Sequence, residues 1–109
     1  MTVPRIGVTL GDPGGIGPEV VLKVLAGHEP IPKAAYVLFG DARLVAEEGR
    51  ALSLAAAFPT WREGDPSRPE VSLCDVAAPD ADRGRHAPDA ANGKASFRFF
   101  EASLAAIRS

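Results

Sequence analysis

The sequence has few of the features that would cross-link a chain, anchor it in a membrane or bind it to a polyanion. Cys74 is the only cysteine among 109 residues, which excludes an intrachain disulfide and a cluster of thiolate metal ligands. Twelve basic residues balance 14 acidic ones, so no charge of one sign indicates a nucleic-acid partner. The longest uncharged run, residues 51–61, is shorter than the roughly 20 residues of a membrane span. We therefore expect a soluble, cytoplasmic protein that binds neither membrane nor nucleic acid.

Strand-like and helix-like patterns alternate along the first half of the chain. Residues 5–10 and 34–39 are short, apolar and rich in branched side chains, as buried strands are. A helical period follows each strand: Val20, Val21, Val24 and Leu25 are expected to form one apolar face, and Leu44, Val45, Glu48 and Leu52 have helical spacing. Pro18 suits the start of the first helix and Asp41 suits the N-cap of the second. The alternation predicts an α/β fold with parallel neighbouring strands.

The second half of the chain is expected to contain one loop-rich excursion and one helix. Residues 62–93 are rich in loop-forming residues, and only residues 70–76 alternate like a hairpin or edge strand. Residues 78–92 have no hydrophobic period, so we expect them to be mobile. Residues 94–109 form a helix with Asn92 or Ser96 as its cap and an apolar face at Phe97, Phe100, Leu104 and Ile107. No stop signal or returning strand follows, so residues 1–109 are expected to be the N-terminal portion of a larger α/β protein.

The clearest chemical signal is the turn at residues 11–19, which holds four glycines and two prolines. It joins a strand to a helix, so its N–H groups and the positive helix end can face a phosphate or nucleotide. The candidate cofactor- or substrate-binding residues are Gly11, Asp12, Gly14, Gly15, Ile16 and Gly17. Their spacing fits neither the dinucleotide fingerprint nor a P-loop. The alternative is a purely structural connection, in which Asp12 holds the turn and Glu19 complements the helix dipole.

A family resemblance rests on two runs of residues. Residues 8–20, VTLGDPGGIGPEV, closely resemble the N-terminal signature of the 4-hydroxythreonine-4-phosphate dehydrogenase family, and more distantly the turn of isopropylmalate and isocitrate dehydrogenases. Residues 92–97, NGKASF, resemble the Asn-Gly helix start of that family. The resemblance implies a three-layer α/β fold like that of the isocitrate and isopropylmalate dehydrogenases, of which this chain is an N-terminal part.

The same resemblance implies an enzyme that uses NAD or NADP and a divalent metal such as Zn, Mg or Co. It would oxidise 4-hydroxy-L-threonine phosphate, with decarboxylation of the product, in pyridoxal phosphate (vitamin B6) biosynthesis. The complete enzyme would be a homodimer whose metal is held by three histidines, one of them from the partner subunit. The three histidines of that metal site have no counterpart in residues 1–109, so we expect no catalytic or metal-binding residue in this chain. The chain alone is expected to be inactive.

Two alternatives remain open, and the remaining polar and aromatic residues have ordinary interpretations. The complete enzyme could act on another phosphorylated hydroxy acid, a threonate or erythronate phosphate, or the chain could be a truncated binding module with an exposed helix at residues 94–107. Cys74 is expected to be a small core residue. Solvated surface positions are expected for His28 and His86, and a solvated loop for Arg62, Arg68, Arg83 and Arg85. Phe97, Phe99 and Phe100 are expected to be packing residues rather than a platform for stacking bases.

Overall fold

The computed structural model describes residues 4–27, 29–66, 68, 70–84 and 89–108, with side chains as far as residue 106. In chain order its elements are β1 (Arg5–Thr9), α1 (Gly17–Leu25), β2 (Ala35–Gly40), α2 (Ala42–Leu52), β3 (Val71–Asp75) and α3 (Ala90–Arg108). Within these ranges, none of the helices combines the length and apolar character that crossing a membrane requires. The expectations for His28, Arg85 and His86 lie outside the described residues, as does that for the Ile107 side chain.

The three strands form one parallel sheet in the order β1-β2-β3. This confirms the α/β prediction, because parallel neighbours must be joined by crossovers such as α1. Of the two interpretations of residues 70–76, the hairpin is wrong, because β3 runs parallel to β2. The edge strand is confirmed for the described sheet, in which β3 is an end strand. A short bridge at Thr60 continues the ladder, since Trp61 N–H donates to the carbonyl of Leu73 at 2.8 Å.

Helices cover both faces of the sheet. On one face Leu38 packs in a buried cluster with Leu22 of α1 and with Leu44 and Val45 of α2. On the other face Val37 and Phe39 pack with Trp61 and with Ala106 of α3. Successive β2 side chains alternate between the two clusters, as the period of a strand requires. Helices thus pack on both faces of the sheet, and α3 takes part in both clusters, because Ala95 and Phe99 belong to the first and Ala106 belongs to the second.

The buried faces of α1 and α3 differ from those expected. In α1 the buried residues are Pro18 and Leu22, whereas Val20 and Val24 are 53% and 50% exposed. Along α3 the buried positions are Asn92, Ala95, Phe99, Ser103 and Ala106, while Phe97 and Phe100 are exposed.

The buried face of α3 differs from the predicted one because of how the helix begins. It begins at Ala90, four residues earlier than expected, and Asp89 caps it by accepting a hydrogen bond from Asn92 N–H at 3.0 Å. Asn92 is consequently inside the first turn, so neither it nor Ser96 is the cap. Its buried amide pairs instead with the main chain of Asp82, as acceptor and as donor, both at 2.9 Å.

Residues 78–84, part of the stretch expected to be mobile, are packed and hydrogen-bonded. Ala78 and Ala81 are each 4% exposed and belong to the larger core cluster. The Arg43 guanidinium donates to both of their carbonyls, at 3.3 and 2.9 Å. Arg83 is not simply solvated, because its Nε donates to the largely buried carboxylate of Glu48 at 2.8 Å. Glu48 lies on the buried side of α2, and this ion pair explains how the helix accommodates its charge.

Candidate functional site

The glycine-rich turn at residues 11–17 continues directly from β1 at the carboxyl edge of the sheet. Leu10 N–H donates to the carbonyl of Phe39 at 2.9 Å, which extends the ladder one residue past β1. Gly11 then turns the chain with φ +79°, a conformation that favours glycine. This backbone geometry explains one of the four glycines without reference to a ligand.

Asp12 organises the turn from within. Its Oδ1 accepts a hydrogen bond from Gly14 N–H at 2.8 Å, and its carbonyl accepts one from Gly15 N–H at 2.9 Å. These contacts are those of an Asx turn, the structural role considered for Asp12. Asp12 is exposed to solvent, so its carboxylate can face a ligand while it also forms the turn.

The N-terminus of α1 is open on its outer side. Ile16 occupies the N-cap position and provides no side-chain hydrogen bond, and its side chain is 82% exposed. In contrast, Asp41 caps α2 by accepting from Arg43 N–H at 2.8 Å and Leu44 N–H at 3.4 Å, as predicted. A helix N-terminus without a side-chain acceptor is suited to an anionic group.

The other two glycines of the turn differ in how closely they are packed. A Cβ on Gly17 would lie 3.2 Å from the Leu10 carbonyl oxygen, which is a tight backbone contact. A Cβ on Gly15 would be 3.5 Å from the Asp12 carbonyl oxygen, an ordinary contact, and Gly15 is exposed. Gly17 is therefore closely packed against the main chain, whereas Gly15 leaves room in front of the turn.

Glu19 has the structural role that its position in the first turn of α1 favours. Its carboxylate contacts the Lys23 ammonium at 3.0 Å, and both side chains are more than half exposed. Such an i, i+4 pair adds only a few tenths of a kcal/mol, about 0.3–0.5, to helix stability.

Two further carboxylates lie at this edge of the sheet, and both hold α2. Asp75, the last residue of β3, accepts a hydrogen bond from Ala42 N–H at 2.9 Å. Asp41 is 6% exposed, and its Oδ2 accepts from Ala78 N–H at 2.7 Å in addition to its capping bonds. The position of Asp75 at a strand end could have indicated this role, but nothing local in the sequence links Asp41 to Ala78.

The described residues do not bring together three or more His, Cys, Asp or Glu side chains that could hold a metal ion. Cys74 is half-buried and packs against Val37 and Phe39 in the smaller core cluster. Burial, with help from the charges of Asp75 and Glu63, raises the pKa of its thiol. The thiol is therefore protonated at neutral pH, as the core interpretation predicts.

A small cavity lies at the opposite edge of the sheet, near the start of β2 and β3. It measures about 180 Å³, and its lining includes Ala35, Ser72, Trp61 and Arg68. The Arg5 guanidinium lies 5.1 Å from the Trp61 ring centroid, and Phe39 contacts the same ring edge-on. The cavity is separated from the glycine-rich turn by the length of the strands, so the two do not form one site.

Parts of the chain are similar to curated dehydrogenases. No family profile matches it. The D-threonate 4-phosphate dehydrogenase of Bordetella bronchiseptica is 39% identical over 70 residues, 63% of this chain and 17% of that enzyme. The 4-hydroxythreonine-4-phosphate dehydrogenase of Desulfosudis oleivorans is 41% identical over 56 residues, 51% of this chain and 16% of that enzyme.

Two solved structures of 4-hydroxythreonine-4-phosphate dehydrogenases are similar in fold to this chain. A 4-hydroxythreonine-4-phosphate dehydrogenase from Klebsiella pneumoniae superimposes with a TM-score of 0.64 and 28% identity over 97% of this chain. For one from Burkholderia phymatum the TM-score is 0.76 over 99% of this chain, and at 20% identity that match concerns the fold alone. The chain spans 34% of each of these structures. The resemblance to 4-hydroxythreonine-4-phosphate dehydrogenases is thus confirmed over part of the chain, and D-threonate 4-phosphate dehydrogenases share it.

Proposed function

We propose that residues 1–109 are the N-terminal part of a dehydrogenase that oxidises a hydroxyl group of a phosphorylated hydroxy acid. The observation that carries this proposal is the similarity to two groups of enzymes named for 4-phosphorylated hydroxy acids. The preferred substrate is 4-hydroxy-L-threonine phosphate, whose oxidation and decarboxylation would belong to pyridoxal phosphate biosynthesis. D-threonate 4-phosphate is the alternative, and several relatives bear that name.

The part of the reaction that we assign to this chain is the binding of an anionic group at the turn. The candidate residues are those predicted from the sequence: Gly11, Asp12, Gly14, Gly15, Ile16 and Gly17. Support comes from the uncapped N-terminus of α1 and from the exposed position of Gly15. Backbone N–H groups at such an end can orient a phosphate of the substrate or of NAD(P). NAD or NADP, when bound, would accept the hydride.

We also propose that the complete enzyme uses a divalent metal, but we assign no ligand of that metal to this chain. No three of the described side chains form a metal-binding group, so we derive no step through a metal from these residues. In the complete enzyme a metal would acidify the substrate hydroxyl. We further propose a cytoplasmic homodimer for that enzyme, and no catalytic activity for the 109-residue chain alone.

The binding role of the turn can be tested by Gly15→Val in the protein purified from its source cells. The Cβ of the new side chain would make ordinary contacts with Asp12, so the turn should keep its fold while the approach to its N–H groups is blocked. Losing one hydrogen bond to a charged group costs about 1.5–3 kcal/mol. We therefore expect kcat/KM for the phosphorylated acid or for NAD(P) to fall by about tenfold to a hundredfold.

The control is Ala57→Val, which places a valine side chain at an exposed position outside the helices and strands. It should leave the kinetics unchanged. Both phosphorylated acids are offered to each protein, so the preferred substrate is identified in the same experiment. Unchanged kinetics in Gly15→Val would show that the turn is only a structural connection.

A further inference from the structure

Gly40, the last residue of β2, is closely packed against Leu10, the residue that precedes the glycine-rich turn. A Cβ on Gly40 would lie 2.9 Å from the Leu10 Cβ and 3.2 Å from its Cδ2. The backbone at Gly40 does not itself demand glycine, because Gly11 and Gly64 are the described glycines with positive φ. The missing side chain of Gly40 therefore provides the space that Leu10 occupies.

Leu10 links the end of β2 to the start of α1. Its N–H donates to the Phe39 carbonyl at 2.9 Å, and its own carbonyl oxygen would lie 3.2 Å from a Cβ on Gly17. Its side chain is 1% exposed and packs in the same cluster as Leu22 of α1. A displacement of Leu10 must reach both ends of the turn, since Gly11 follows it directly and Gly17 lies close to its carbonyl.

Gly40 itself is fixed by its neighbours. β2 is the middle strand of the described sheet, and the Gly40 carbonyl accepts a hydrogen bond from Val76 N–H at 2.9 Å. The next residue, Asp41, is anchored by its hydrogen bonds to the main chain of α2 and of Ala78. A side chain at residue 40 would therefore displace Leu10 rather than β2.

We propose that Gly40 is a positioning residue for the anion site of the glycine-rich turn, because it sets how closely the turn lies to β2. This role rests on the proposed function of the turn, and Gly40 acts through Leu10 without touching the ligand. A contact of 2.9 Å must lengthen by about 0.5 Å to reach the ordinary distance of 3.4 Å. Since binding groups must be placed to within about 0.5 Å, one methyl group at residue 40 is enough to disturb the site.

The test is Gly40→Ala in the protein purified from its source cells, with KM and kcat measured separately. A binding interaction that is equally strong in the ground state and in the transition state affects KM alone. Because a misplacement of about 1 Å can cost about a hundredfold, half that displacement should raise one KM by about tenfold and leave kcat unchanged. The KM that rises, for the phosphorylated acid or for NAD(P), identifies the ligand whose phosphate the turn binds.

Gly49→Ala is the matched control, because it is the same substitution at another buried glycine. Its Cβ would meet the Ala56 Cβ at 2.8 Å, and Gly49 lies in α2 rather than beside the turn. Both variants should lose stability, but Gly49→Ala should leave both KM values unchanged. A purely structural role of Gly40 predicts the same kinetics in the two variants.

Hydrogen–deuterium exchange gives a second readout, which does not depend on activity. The Leu10 amide should exchange faster in Gly40→Ala, relative to the amide of the fully buried Leu38 in the middle of β2, because its bond to the Phe39 carbonyl is displaced. Gly49→Ala should keep the wild-type ratio of the two rates. Circular dichroism shows whether each variant is folded.

The positioning role is overturned if Gly40→Ala leaves the KM values and the Leu10 exchange unchanged, if Gly49→Ala changes them equally, or if Gly40→Ala does not fold. If the wild-type protein reduces no cofactor with either acid, the proposed function has failed instead. The exchange of the Leu10 amide then decides whether Gly40 positions the turn.

Discussion

Replacing Asp41 by alanine should destabilise the chain more than replacing any exposed carboxylate at the carboxyl edge of the sheet. The Asp41 carboxylate accepts hydrogen bonds from the main-chain N–H groups of Arg43, Leu44 and Ala78. Loss of an N-cap costs about 1 kcal/mol. A buried N–H left without a partner, here that of Ala78, costs about 1–3 kcal/mol more. The free energy of unfolding should therefore fall by about 2–4 kcal/mol.

Urea unfolding followed by circular dichroism measures this difference. Asp12→Ala is the matched control, because Asp12 is exposed and its carboxylate accepts a single described bond, from Gly14 N–H. It should cost no more than about 1 kcal/mol. Hydrogen exchange provides a second readout, since the Ala78 amide should lose protection in Asp41→Ala and keep it in Asp12→Ala.

The reasoning would be refuted by an Asp41→Ala protein that is within about 0.5 kcal/mol of the wild type, the range of ordinary surface substitutions. That result would mean that residues 76–81 are held mainly by apolar packing of Ala78 and Ala81. The Arg43 bonds to those two carbonyls would then be the next to test.

A glycine substitution in α2 and the reactivity of the single cysteine give two further tests. Gly49→Ala should destabilise the chain by about 1–3 kcal/mol in urea unfolding, because the new Cβ would lie 2.8 Å from the Ala56 Cβ. Helix propensity alone predicts a gain of about 1 kcal/mol, so the sign decides which effect dominates. Cys74 should react with iodoacetamide more slowly than a cysteine peptide at pH 8, because burial raises its pKa. Since the folded-state pKa is raised above the ordinary value of 9.0, this thiol favours the folded state at lower pH. Its contribution should be lost as the pH rises through the folded-state pKa, and a thiol that alkylates at the peptide rate would contradict its burial.

The strands and the start of α1 could be predicted because their signals are local. Short apolar runs before Gly11 and before Asp41 mark the ends of β1 and β2, and Pro18 marks the beginning of α1. The orientation of β3 could not be predicted from the local sequence. It depends on pairing with β2, more than thirty residues away, which the alternation of residues 70–76 could not supply.

The helix faces were harder to predict because apolar residues occupy more than one side. In α3, Phe97 and Phe100 form a helical period as regular as that of Ala95 and Phe99. Only the earlier start of the helix and the pairing of Asn92 with the Asp82 main chain decide which face is buried. A polar residue thus sets the orientation, and hydrophobic periodicity could not reveal it.

For the candidate site, the sequence identified the turn but not the roles of its individual residues. Gly11 has a positive φ, and Gly17 lies close to the Leu10 carbonyl. The Asp12 side chain accepts a hydrogen bond that forms the turn. It leaves Gly15 and the uncapped start of α1 as the part of the turn most accessible to a ligand. The substrate and cofactor roles of these residues stay predictions.

The most direct test of the proposed function is the formation of NADH or NADPH by the protein purified from its source cells. The assay contains a divalent metal and, in parallel, 4-hydroxy-L-threonine phosphate or D-threonate 4-phosphate. The proposal predicts reduced cofactor with at least one of these acids, and none when the acid is omitted. If neither acid supports cofactor reduction, this chain is not part of a dehydrogenase of phosphorylated hydroxy acids of that kind.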